Sequence, residues 1–103
     1  MIHICFTKED NHYTALKMQG HANSANSGED LVCAAVSAIA YGLANALNGM
    51  FDESNSSFEN NVANLLIQNP NETTDSIMKV AWYQLETIRL SNKEFIEIEI
   101  AEV

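Results

Sequence analysis

A thiol, an imidazole able to deprotonate it and a local positive potential to hold the thiolate are enough for acyl-transfer chemistry at neutral pH. All three are available within one run: Gly20-His21-Ala22-Asn23-Ser24-Ala25-Asn26-Ser27-Gly28-Glu29-Asp30-Leu31-Val32-Cys33-Ala34-Ala35-Val36-Ser37. His21 stands twelve positions before Cys33, and Cys33 lies close to the expected start of a long helix. With Asp30 as N-cap, Cys33 falls in the first turn, where unpaired amides and the macrodipole favour a negative charge by about 0.3–1 kcal/mol. The same amides could hold a developing oxyanion. Ser37 follows one turn later on the same side. Asp30 is available to orient His21, although a carboxylate that close raises a thiol's pKa. A cap at Ser27 would instead set Cys33 deeper and weaken the dipole's share.

Each of these residue types also has a plainer use. A cysteine in an Ala-rich helix serves as a small buried hydrophobe, a histidine can simply end a strand, and an aspartate can simply cap. Ser37 is small enough to let a helix approach a sheet. His3, Cys5, His21 and Cys33 could be read as a zinc set, but their spacing matches no established ligand pattern, so no metal is expected. A Cys5–Cys33 disulfide is disfavoured in a reducing compartment.

The elements that must position this run follow from periodicity. Ile2, Ile4 and Phe6 alternate with His3 and Cys5 as in a half-buried strand, and residues 13–19 read as a second strand, pairing with the first as a hairpin. Residues 20–29 form a long, small and polar connection bounded by Gly20 and Gly28, expected to act as a substrate loop, with residues 23–27 as a mobile lid hinged by the two glycines. A helix is expected over residues 30–48, with Val32, Val36, Ile39, Leu43, Leu47 and Met50 as its apolar stripe and Gly49 as its stop. Residues 52–61 read as a loop, 62–68 as a third strand, 75–90 as a second helix with Ile77, Ala81, Leu85 and Ile88 inward, and 94–102 as a final strand. The order β-β-α-β-α-β implies an α+β fold, with two helices on one face of a mostly antiparallel or mixed sheet.

A chain of 103 residues makes one domain, residues 1–103. Its 47% hydrophobic content with a single Pro and four Gly argues for a folded globular chain. The N-terminus lacks a signal pattern, and the apolar run 31–50 is broken by Ser37, Asn45, Asn48 and Gly49, so a cytoplasmic protein without a membrane span is expected. A net charge of −9 repels phosphate backbones and excludes direct nucleic-acid binding as the expected role. It suits solubility or a basic protein partner, which leaves a non-catalytic partner-binding module as the rival to an enzyme.

Gly20-His21-Ala22, then Gly28, then Asp30-Leu31-Val32-Cys33-Ala34-Ala35-Val36-Ser37, resembles the bacterial ribosomal-processing cysteine protease family, called Prp. The likeness is close over residues 18–48 and looser in the last third, where Ser91-Asn92-Lys93-Glu94-Phe95 stands in place of an aromatic-proline turn. The resemblance implies Cys33 as nucleophile, His21 as general base, and Asp30 and Ser37 as supporting residues. It also implies a homodimer without cofactor, acting on a large-subunit ribosomal protein (L-twenty-seven) that carries an N-terminal extension.

Overall fold

Alternation at Ile2, Ile4 and Phe6 builds the first strand, which the structure, a computed structural model describing residues 1–20, 27–51 and 55–103, sets at Ile2–Glu9 (β1). The chain turns back into His12–Gln19 (β2), then forms Ser27–Phe51 (α1), Ser56–Glu59 (β3), Val62–Leu66 (β4), Glu72–Leu90 (α2) and Ile96–Glu102 (β5). The expected α+β architecture holds. The five strands form one mixed sheet in the order β3-β4-β2-β1-β5, antiparallel throughout except where β5 runs parallel to β1.

Register decides which residues meet the helices. Ile4 lies opposite Met18, Phe6 opposite Leu16, Ile2 opposite Ile96 and Leu16 opposite Leu65, so these buried side chains share one sheet face. Onto that face α1 sets Val32, Val36, Ala40, Leu43 and Leu47, and α2 sets Met78, Ala81 and Leu85. The other face carries His3, Cys5, Lys17, Gln19, Glu97 and Glu99 around a shallow depression. By length and composition α1 could cross a membrane over Leu31–Phe51, with a mean hydropathy of 1.6. Here its apolar stripe closes the core instead.

Several boundaries differ from the sequence expectation. β3 occupies part of the segment expected as a loop. Its four residues, Ser-Ser-Phe-Glu, carry no apolar alternation and gain their strand state from pairing with β4. α1 starts at Ser27 rather than residue 30 and runs through Gly49 to Phe51. Its buried stripe follows the spacing 32, 36, 40, 43, 47, which takes in Ala40, leaves Ile39 half-buried and turns Met50 to solvent. α2 starts at Glu72 rather than residue 75, β4 ends at Leu66, and β5 begins at Ile96.

Two-residue turns join both hairpins. Asp10 and Asn11 have φ of 52° and 69°, and Asn60 and Asn61 have φ of 52° and 62°. Positive φ at both central residues marks the primed turn whose twist matches the flanking strands, and Asn and Asp tolerate it better than other non-glycine residues. An irregularity after Thr7 lets β2 carry one extra residue, Thr14, whose carbonyl accepts the Ile67 amide at 2.9 Å.

The earlier start of α2 releases Asp75 for another task. Asn71 caps the helix by accepting the Thr73 and Thr74 amides at 2.9 and 3.0 Å, while the Thr74 hydroxyl accepts the Asn71 amide at 3.0 Å. Asp75, in the first turn, then reaches across to β2, accepting the Tyr13 amide at 2.9 Å and lying 2.6 Å from Nδ1 of His12. This carboxylate is mostly buried and fastens α2 to the beginning of β2. Replacing it by alanine leaves the Tyr13 amide unpaired beneath the helix. Asp75→Ala is therefore expected to lower the unfolding free energy by about 1–3 kcal/mol, read from the denaturant midpoint. A shift smaller than a few tenths of a kcal/mol would contradict the fastening role.

Candidate active site

Gly20 ends β2 at the place where three segments of backbone meet. Its φ is +86°, its amide donates to the Asn61 carbonyl at 3.2 Å, and a Cβ built on it would lie 2.5 Å from the Met1 carbonyl oxygen. Glycine is required here both by the left-handed backbone and by the closeness of the β1 entrance. Beside it opens a groove of about 360 Å³ at one end of the sheet. α1 contributes Cys33, Ser37 and Tyr41 to the groove, β1 contributes Ile2, β2 contributes Met18, and the β3–β4 hairpin contributes Phe58 to Ala63.

Cys33 follows Val32, a buried residue of the α1 stripe, and is itself half-buried. Val36 repeats the inward position one turn on, with exposed Ser37 beside it. The helix period thus puts thiol and hydroxyl on the same wall of the groove, as the sequence spacing implies. One turn further along α1, the Tyr41 ring stacks on Phe58 of β3, centroids 4.4 Å apart and planes inclined by 24°. Tyr41 remains half-exposed, so this aromatic pair is a shelf within the groove.

The helix start changes one part of the sequence expectation. Because α1 begins at Ser27, Asp30 is a helical residue rather than the N-cap, and Cys33 lies in the second turn. The unpaired first-turn amides belong to residues nearer Ser27, about a turn before Cys33, which weakens the dipole's share at the thiol. His21, Ala22, Asn23, Ser24, Ala25 and Asn26 lie outside the described residues, and so does the lid expected there up to residue 26. Gly20, the last described residue before His21, lines the same groove as Cys33. Ser27 and Gly28 belong to the first turn of α1.

β1 alternation turns His3 and Cys5 to the sheet face away from Cys33. The two cysteines are not joined in a disulfide. Burial pushes the Cys5 thiol above its ordinary range, and the neighbouring Glu99 carboxylate pushes it further by its charge and by a hydrogen bond. Cys5 therefore stays protonated to higher pH than an ordinary cysteine. Sequence reasoning missed Tyr41 and Phe58 as a stacked pair in the groove. The legible clue was Asn60-Asn61, a primed-turn dipeptide between Phe58-Glu59 and Val62-Ala63.

Comparison with known proteins fits this geometry. The family model for cysteine protease Prp matches residues 1–97. The ribosomal processing cysteine protease Prp of Bacillus subtilis (strain 168) is 52% identical over 33 residues, a match spanning 32% of this chain and 30% of that protein. Two crystal structures of the Staphylococcus aureus ribosomal processing protease Prp superpose over 97% of this chain and 99% of theirs. The one with a covalently linked product peptide has a TM-score of 0.84 at 27% identity, and the one with a substrate peptide has 0.85 at 26%. A Streptococcus mutans protein shares the fold, with a TM-score of 0.85 at 23% identity over 100% of this chain and 96% of its own. Fold and groove thus define a structural class, small two-layer α+β proteins with an open groove at one end of the sheet. Within that class, the chain belongs to the cysteine protease Prp family.

Two outcomes follow from the site's geometry. Gly20→Ala forces both an unfavourable backbone region and a collision with Met1, and is expected to cost about 1–3 kcal/mol in unfolding experiments. Wild-type stability in that variant would show that the Met1–Gly20–Asn61 junction yields freely. In Glu99→Gln, the rate of Cys5 alkylation against pH is expected to shift to lower pH, since a group that favours the protonated thiol is removed. An unmoved profile would show that Glu99 does not act on this thiol.

Proposed function

We propose that this chain is a cysteine endopeptidase that removes the N-terminal extension of a large-subunit ribosomal protein, L-twenty-seven, in the bacterial cytoplasm, and that it works as a homodimer. The observation that carries this reading is the placement of Cys33 in the wall of an open groove, in the fold of a protease that has been solved with a substrate peptide. The acidic balance, net charge −9, suits a basic protein substrate.

In this reading His21 takes the proton from Cys33 Sγ, and the thiolate attacks the scissile carbonyl carbon. Collapse of the tetrahedral intermediate breaks the C–N bond while His21 returns its proton to the leaving amine. Water then hydrolyses the thioester, with His21 again as base. Asp30 orients the imidazole, the Ser37 hydroxyl hydrogen-bonds within the groove, and the connection from Gly20 to Gly28 contacts the substrate. No cofactor or metal enters any step.

The test is cleavage of a peptide spanning the junction of that extension, read by mass. The wild type is expected to make a single cut, and Cys33→Ala to lower the rate at least about a thousandfold while unfolding like the wild type. His21→Ala should fall comparably, and its loss combined with that of Cys33 should be far less than additive. Cleavage by Cys33→Ala at the wild-type rate would overturn the assignment.

A further inference from the structure

We propose that the outer edge of β3 is a strand-addition site, where an extended peptide pairs its main chain with Ser56 and Phe58 and lays an apolar side chain on the Tyr41–Phe58 shelf. This deepens the reading of the groove given above and rests on it for the occupant, a peptide substrate.

Register leaves one set of β3 main-chain groups facing outward. A two-residue turn makes Glu59 and Val62 the first hydrogen-bonded pair of the β3–β4 hairpin, and such pairs recur at every second residue. Ser57 with Asn64 is therefore the next, and Asn55, whose carbonyl accepts the Leu66 amide at 2.9 Å, begins the third. The amides and carbonyls of Ser56 and Phe58 consequently point away from β4. β3 is the edge of the sheet, and nothing among the described residues pairs with these outward groups.

The two edges of the sheet are not alike. β5, at the far side, places Glu97, Glu99 and Glu102 along its length, a usual protection of an edge against added strands. β3 carries a single charged residue, Glu59 beside the turn, and its Phe58 lines the groove that holds Cys33. A strand laid on β3 therefore runs along the rim of that groove. Its side chains alternate, so those on the Phe58 side meet the shelf of exposed Tyr41 and half-buried Phe58, and those between face away from α1. Main-chain pairing supplies affinity and the shelf supplies selectivity for an extended segment with an apolar residue in register.

The test uses the extension-junction peptide, labelled and bound to the full-length Cys33→Ala variant so that no cleavage intervenes. Single N-methyl groups are placed on successive peptide amides. Strand addition predicts that affinity falls about three- to tenfold at alternate amides within the bound stretch and holds at those between. It also predicts that hydrogen exchange slows on binding at the Ser56 and Phe58 amides, while Ser57 and Glu59 are unchanged. Tyr41→Ala should weaken binding without altering the alternation. Loss at consecutive amides alike, no loss at any, or unchanged exchange at Ser56 and Phe58 would overturn the proposal. Wild-type cleavage of the unmodified peptide without the alternation would discard strand addition alone. Absence of both cleavage and binding would discard it together with the protease reading.

Discussion

Burial of one stripe of α1 against the sheet sets the position of every described groove residue on that helix. Val32, Val36, Ala40, Leu43 and Leu47 meet Ile4, Phe6, Leu16 and Met18 in the core, and that contact fixes the rotation of the helix about its axis. Cys33 and Ser37 each follow an inward valine by one residue, so they emerge at the margin of the stripe, on the wall of the groove. Turning the helix enough to bury Cys33 would bring exposed positions such as Ala34 and Ser37 toward the core and take valines out of it. The thiol is held in place by the hydrophobic effect acting on its neighbours.

The groove is completed by backbone features rather than by large side chains. Gly20 lets β2 end against the start of β1, and Asn60-Asn61 turns the β3–β4 hairpin beside it. Both depend on positive φ, provided by glycine in one case and by asparagines in the other. The second hairpin brings Phe58 onto Tyr41 and so furnishes an aromatic surface within the groove. At the other end of the molecule, Asp75 joins α2 to β2 with one carboxylate serving two partners. Helix and sheet are thereby fastened at a point remote from the groove.

The two cysteines show how strand and helix periods sort similar residues. Cys5 alternates with Ile4 and Phe6, which sends it to the open face of the sheet beside Glu99. Cys33 sits on the opposite layer, in the groove wall. Alternation along β1 was legible in the sequence, and it already separated Cys5 from the buried isoleucines. That His3 and Cys5 cannot join Cys33 became evident only when α1 was seen to lie on the other side of the sheet.

The sequence by itself determined the elements whose period repeats over many residues: β1, β2, most of α1, α2 and β5, together with the His21–Cys33 run that marks the family. Long amphipathic stretches declare themselves because each residue's burial is set by local geometry. Tertiary structure decided what depends on partners distant in the chain. It made Ser56–Glu59 a strand by pairing it with β4, and set β5 parallel to β1. It also drew α1 back to Ser27, so that Cys33 sits in the second turn and not the first. Short strands, strand order and helix ends draw their free energy from contacts that no local pattern encodes, and those contacts shape the groove.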